Sequence, residues 1–94
     1  MHFVIINHDK PDSVELRMKT REVHLEYLRG VGDALLTAGP ILTDDGETPI
    51  GSVLIFEADS LEAAKAFAAG DPYAEAGLFV SSQVMPWRKV FPEA

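Results

Sequence analysis

Apolar residues recur along this chain in two rhythms, one with the period of a strand and one with that of a helix. His2 to Asn7 is dense in β-branched and aromatic residues and reads as a buried strand, stopped at Pro11-Asp12-Ser13. From Ser13 to about Arg29 the apolar positions Val14, Met18, Leu25 and Leu28 recur at helical spacing. Arg17, Lys19, Glu22, Glu26 and Arg29 then fall on the remaining, solvated surface. Asp12 is placed to cap this helix, with Glu15 in the capping-box position, and Gly30 and Gly32 are placed to end it in a left-handed turn. Ala34 to Thr43 predicts a second strand. It is bent, bulged or at a sheet edge near Gly39-Pro40, because proline has no N–H for the ladder. The polar turn Asp44 to Pro49 leads into a strand over Gly51 to Glu57 and a helix from Ser60 to about Ala69. Asp71-Pro72 begins a short helical turn that Gly77 closes, and Leu78 to Trp87 is the last strand, with pairing expected to fail at Pro86.

The two halves share a plan. Val4-Ile5-Ile6 leads to Asp12-Ser13-Val14-Glu15, and Val53-Leu54-Ile55-Phe56 leads to Asp59-Ser60-Leu61-Glu62. Strand, cap, helix, strand, twice over, is the pattern of a ferredoxin-like βαββαβ α+β fold with a four-stranded antiparallel sheet. Right-handed crossovers put both helices on one sheet face. The other face stays apolar and open, so a second copy packed face to face is expected to cover it.

Size makes that expectation stronger. Ninety-four residues form a single domain over 1–94, and a chain this short is marginal on its own. There is no cysteine, so disulfides, thiolate zinc sites and a thiol nucleophile are excluded, and a partner subunit is the remaining staple. Net charge is −7 with eight basic residues scattered among acids, which argues against nucleic acid. The apolar runs are too short for a bilayer and Met1 to Ile6 lacks the form of a signal peptide, so a cytoplasmic protein without membrane association is expected.

Candidate chemistry centres on His24, beside the Arg21, Leu25 and Leu28 stripe at the rim of the helix–sheet interface. A histidine there is either a general acid/base or a rim residue bonded to a backbone carbonyl. Asp71 is either a helix cap or a carboxylate that orients His24. Tyr73 is a pocket wall with a hydroxyl donor or a core aromatic, and Ser52 is a ligand donor or a solvated strand residue. His2 and His8 share a face of the first strand but stand roughly 20 Å apart, too far to share a metal. The Asp44-Asp45-Glu47 group lacks calcium-loop spacing and reads as a solvated turn. A nucleophile elbow, a P-loop and a dinucleotide fingerprint are all missing, so neither a metal nor a cofactor is expected.

Several blocks together resemble the YCII (YciI-like) family. They are Asp9-Lys10-Pro11-Asp12-Ser13, Arg21-Glu22-Val23-His24-Leu25, Leu36 to Pro40, Gly51-Ser52, Ser60 to Ala64, Asp71-Pro72-Tyr73, Ala76-Gly77 and Pro86 to Phe91. They cover nearly the whole chain, with one departure, a short connection over Thr43 to Ile50. The resemblance implies a dimeric α+β barrel assembly and a site in which His24 and Asp71 meet, with Ser52, Tyr73 and Arg21 as substrate-binding candidates. Some relatives are dehydrochlorinases of chlorinated aromatics, and the wider group includes muconolactone isomerases. The expected function is therefore cofactor-independent proton transfer on a small organic molecule, of lyase, isomerase or dehydrohalogenase type. The alternatives are a non-catalytic ligand-binding or accessory domain of the same fold and a cofactor-free monooxygenase.

Overall fold

A computed structural model describes residues 1–93. The elements run β1 (His2–Asp9), α1 (Val14–Arg29), a 3-10 turn (Gly32–Ala34), β2 (Leu35–Leu42), β3 (Pro49–Glu57), α2 (Leu61–Gly70), a single-turn α3 (Pro72–Glu75) and β4 (Phe79–Trp87). The strands form one antiparallel sheet in the order β2-β3-β1-β4, the ferredoxin-like arrangement that the doubled pattern predicts.

Strand alternation divides the side chains between two environments. Phe3 and Ile5 pair across the ladder with Phe56 and Leu54, and all four pack on Ala64 and Phe67 of α2 and on Tyr27 and Leu28 of α1. Both long helices therefore lie on that face. Phe67 is stacked between Phe56 at 3.9 Å and Tyr27 at 5.2 Å, which adds aromatic contact to burial worth about 1.5–3 kcal/mol for each large apolar side chain. The Tyr27 hydroxyl donates to the Phe67 carbonyl at 2.8 Å and so ties α1 to α2. Gly70 makes room for it, since a Cβ there would lie 2.7 Å from the Tyr27 oxygen. The opposite face carries Val4, Ile6, Val53 and Met85, the first three half-buried and Met85 40% exposed, and neither long helix lies on it.

Several local expectations are corrected. Asp12 does not cap α1: it takes a left-handed φ of 57°, and Ser13 is the N-cap without a side-chain bond to the helix. The Ser13 hydroxyl donates to Pro11 O instead, so the capping box is not formed. In the second half Ser60 does cap, its Oγ accepting from the Ala63 N–H at 3.1 Å. Gly30 keeps a helical φ of −65°, and Gly32, at 55°, makes the left-handed turn. Pairing continues through Pro86, which faces Phe3, because β4 is an edge strand and an edge tolerates a missing donor. Pro40 likewise sits on an edge strand, and β2 shifts register on both sides of it.

Candidate active site

The apolar stripe read along α1 is only in part the face that the helix buries, since Leu28 packs on the core and Leu25 is half-buried but Val14 and Met18 are exposed. Met18 is 65% exposed, whereas Arg17 and His24 are only 6% and 7% exposed. Arg17 and His24 stand seven residues apart, two turns along the helix, so they share one side of it. Arg17, expected on the solvated surface, is buried because two distant groups match its guanidinium. Asp9 continues the helix-facing row Phe3, Ile5, Asn7 and takes Arg17 in a fork, Nε to Oδ2 at 2.7 Å and Nη2 to Oδ1 at 3.2 Å. Nη2 also donates to the Gly51 carbonyl at 2.8 Å. Gly51 is required at that point, because a Cβ would collide with the Asn7 carbonyl of β1.

His24 meets Asp71 across the fold. Its Nδ1 lies 2.8 Å from Asp71 Oδ1, and Asp71 is 3% exposed. A carboxylate accepts, so Nδ1 carries the proton and Nε2 is left with the basic lone pair. The same Asp71 oxygen accepts from the Tyr73 N–H at 2.9 Å and caps α3, with Pro72 at its first turn. Capping and contact with His24 thus coexist in one carboxylate. The Tyr73 ring stacks on His24 at 3.9 Å and 14°, and Arg17 Cζ lies 4.6 Å from its centroid. Two helical turns separate His24 from Arg17, so they bracket the Tyr73 ring and hold it between them.

Beside this column lies a cavity of about 300 Å³ between α1 and the β2–β3 part of the sheet. Met18, Leu25 and Leu28 of α1, Ala38 and Pro40 of β2 and Leu54 of β3 supply its apolar wall. Arg17, Arg21, His24, Ser52 and Tyr73 supply the polar one. Among the described residues every fully buried side-chain nitrogen and oxygen has a hydrogen-bond partner. His24 Nε2 makes no hydrogen bond to a described residue, and His24 lines this cavity together with Tyr73, whose hydroxyl is within reach of the Arg17 guanidinium. Ser52 is buried at the cavity floor, where its Oγ accepts from Asn7 Nδ2 at 3.1 Å. Arg21 is at the rim, its side chain 58% exposed and 3.9 Å from Glu22.

His24, Asp71, Tyr73 and Ser52 thus converge, with Arg21 at the entrance. Arg17, Asp9 and Asn7 are additions that the sequence reading did not single out. Two signals pointed to them: the seven-residue step from Arg17 to His24, and the odd-numbered row of β1 that ends in Asp9. Elsewhere, His2 is 6.2 Å from Trp87 and 4.0 Å from Glu57 at one end of the open face. Asp45 accepts from Thr43 and from the Glu47 N–H, bonds that hold its carboxyl below the usual value, the Thr43 hydroxyl most of all. These bonds close the Asp44–Glu47 turn on itself.

Burial pushes the Tyr73 hydroxyl above its ordinary value, with Asp71 adding to the effect and the Arg17 and Arg21 charges opposing it. Tyr27 is raised as well, by burial first and then by Asp71 and Glu75. The folded chain therefore holds both phenolic protons more tightly than the unfolded chain does. That stabilisation is whole below pH about 10 and is lost as pH climbs through the raised native values. These are the only two tyrosines, so phenolate absorbance reads them directly. Late ionisation that coincides with loss of circular dichroism is expected. Ionisation of both at the ordinary value with the fold intact would contradict the assignment.

Comparison with known proteins places the chain in context. The YCII-related domain model matches residues 1–88. Protein YciI of Escherichia coli O6:H1 is 44% identical over 98 aligned positions, covering 97% of this chain and 100% of that protein. A Haemophilus influenzae protein is 42% identical over the same extent. Among solved structures, the 5-chloro-2-hydroxyhydroquinone dehydrochlorinase of Burkholderia phenoliruptrix, in complex with 2,5-dihydroxybenzoquinone, superposes with a TM-score of 0.86 at 34% identity, covering 94% of each chain. An antibiotic biosynthesis monooxygenase, at 16% identity and a TM-score of 0.58 over 96% of this chain and 99% of its own, shares the fold alone.

Proposed function

This chain belongs to the YCII-related family, and from that premise we propose that it is a small-molecule enzyme whose chemical step is a proton transfer. His24 Nε2 takes or gives the proton, while Asp71 holds the ring in the Nδ1–H tautomer and stabilises the imidazolium that forms. The observation that carries this reading is the buried 2.8 Å contact between His24 Nδ1 and Asp71 at the wall of a half-open, mostly apolar cavity. A volume of about 300 Å³ suits a molecule of one ring, at the small end of ligand sites. Lyase, isomerase and dehydrohalogenase steps all fit, because in each the difficult event is removal of a proton from carbon. The dehydrochlorinase neighbour supports starting with halogenated hydroquinols.

The decisive experiment incubates the protein with chlorinated hydroxyhydroquinones and with unsaturated lactones, following chloride release and isomer formation. Turnover that His24→Gln abolishes supports the enzyme. Binding without turnover, unaffected by His24→Gln, favours a ligand-binding domain, a reading supported by Asp71 having a sufficient structural task as the cap of α3. Turnover that requires dioxygen would indicate a monooxygenase instead.

The working unit in this proposal is a homodimer. Val4, Ile6, Val53 and Met85 make the open sheet face a natural partner surface, as a second sheet packed on the first would bury them. Light scattering at micromolar concentration is expected to give twice the chain mass. Val53→Lys, which puts a charge at the middle of that face, is expected to give the single-chain mass. A wild-type monomer would remove this part of the proposal.

A further inference from the structure

We propose that the cavity floor is an oxyanion site, and that the substrate is an uncharged, ring-sized carbon acid with a carbonyl group next to the carbon that loses its proton. The inference rests on the proton-transfer reading of His24 and goes beyond it by naming what stands opposite.

A row of polar side chains crosses three strands beneath the cavity. Asn7 of β1 faces Ser52 of β3 on one side and Ser82 of β4 on the other, in register. Ser82 Oγ donates to Asn7 Oδ1 at 2.6 Å, and Asn7 Nδ2 donates to Ser52 Oγ at 3.1 Å. The two lengths set the direction of this chain: 2.6 Å is an O–H···O separation and 3.1 Å an N–H···O one, so the Asn7 amide turns its oxygen to Ser82 and its NH₂ to Ser52. Ser52 Oγ is thereby occupied as an acceptor, and its own proton is left to donate into the cavity that it lines. The row also replaces apolar burial, since Asn7 is almost fully enclosed beside the Phe3 and Ile5 core.

Arg17 and Tyr73 reinforce the same polarity. Asp9 and Gly51 take Nε and Nη2 of Arg17, and its guanidinium lies over the Tyr73 ring with the Tyr73 hydroxyl within reach. The cavity therefore offers one base, His24 Nε2, and the Ser52 hydroxyl as a donor, with the Arg17 guanidinium and the Tyr73 hydroxyl in the same wall. Asp9 neutralises Arg17, so apart from Arg21 at the rim the floor acts through directed N–H and O–H groups. Such a site is suited to negative charge that develops during the reaction.

The step balances without a further reactant. The C–H bond breaks as His24 Nε2 takes the proton, and its electron pair forms a carbon–carbon double bond. The carbonyl π pair moves to oxygen, and that oxygen is held by the Ser52 hydroxyl. Return of the proton to another carbon completes an isomerisation, and loss of halide from the carbon skeleton completes an elimination.

Binding of para-nitrophenolate and of nitrobenzene tests the site without any turnover, because the two probes share shape and differ in the oxyanion. Wild-type protein is expected to bind the phenolate at least about tenfold more tightly, the worth of a hydrogen bond to a charged acceptor. Ser52→Ala is expected to lower phenolate affinity by about tenfold and leave nitrobenzene affinity unchanged. Ser82→Ala, which acts only by releasing the Asn7 amide, is expected to give a smaller loss of the same selective kind. Equal losses for both probes, or no preference for phenolate in the wild type, would overturn the oxyanion site. The two readings fail separately. Ser52-dependent phenolate binding in a protein that turns nothing over would sink the enzyme alone, and His24-dependent turnover with Ser52-independent binding would sink the oxyanion site alone.

Discussion

Replacing His24 with glutamine is expected to lower turnover by about 10²- to 10⁴-fold, the usual worth of a positioned general acid/base, while the fold persists. Glutamine keeps an N–H to offer Asp71, so the carboxylate is not left bare, but it has no nitrogen that can take a proton. Asp71 needs two variants because it does two jobs through one oxygen. Asp71→Asn retains an oxygen that can accept the Tyr73 N–H and cap α3, yet loses the charge that stabilises imidazolium. Its stability is expected to stay near wild type while turnover falls. Asp71→Ala loses both, adding a cap loss of about 1 kcal/mol to the catalytic defect. Nitrogen chemical shifts of the His24 ring report the tautomer directly, with the proton expected on Nδ1 in the wild type. Unchanged turnover in His24→Gln, or a ring protonated on Nε2 at neutral pH, would remove His24 as the base.

The largest effect on stability is expected at Asp9. Asp9→Ala leaves a guanidinium that is 6% exposed with only the Gly51 carbonyl as a strong partner. Breaking a buried pair from one side costs about 3–5 kcal/mol, a large fraction of the 5–15 kcal/mol that holds a typical domain together. Removing both charges in Asp9→Leu/Arg17→Met is expected to recover most of the loss, because no uncompensated charge remains. Urea unfolding of the four proteins at one fixed protein concentration gives the coupling energy. A cost under about 1 kcal/mol for Asp9→Ala would mean that water, not Asp9, solvates Arg17. If the pair is as strongly coupled as its geometry indicates, it also sets the height of the Tyr73 ring, on which both Arg17 and His24 rest.

These two predictions mark where sequence reading succeeds and where it stops. His24 and Asp71 were legible as candidates because imidazole and an Asp-Pro helix start are chemically conspicuous, and the resemblance joined them. Arg17 was not, since charged residues on a helix are usually solvated and nothing adjacent in the chain says otherwise. Its partners lie eight and 34 residues away. The capping box failed for a related reason. Asp12 and Glu15 have the right spacing, but the chain leaving β1 reaches α1 through a left-handed Asp12, which takes the residue out of cap geometry.

By itself the sequence determined the element order, the antiparallel α+β plan, the two-sided character of the sheet and the family. All of these follow from periodicity, turn chemistry and blocks of residues that lie close together in the chain. The tertiary structure alone decided which polar side chains are buried and what faces them. Periodicity states the direction in which a side chain points, and burial depends on what stands opposite. His24 and Asp71 are 47 residues apart, and Asn7 and Ser82 are 75 apart. Only the folded sheet and the packing of α1 against α3 bring such pairs within reach of a hydrogen bond.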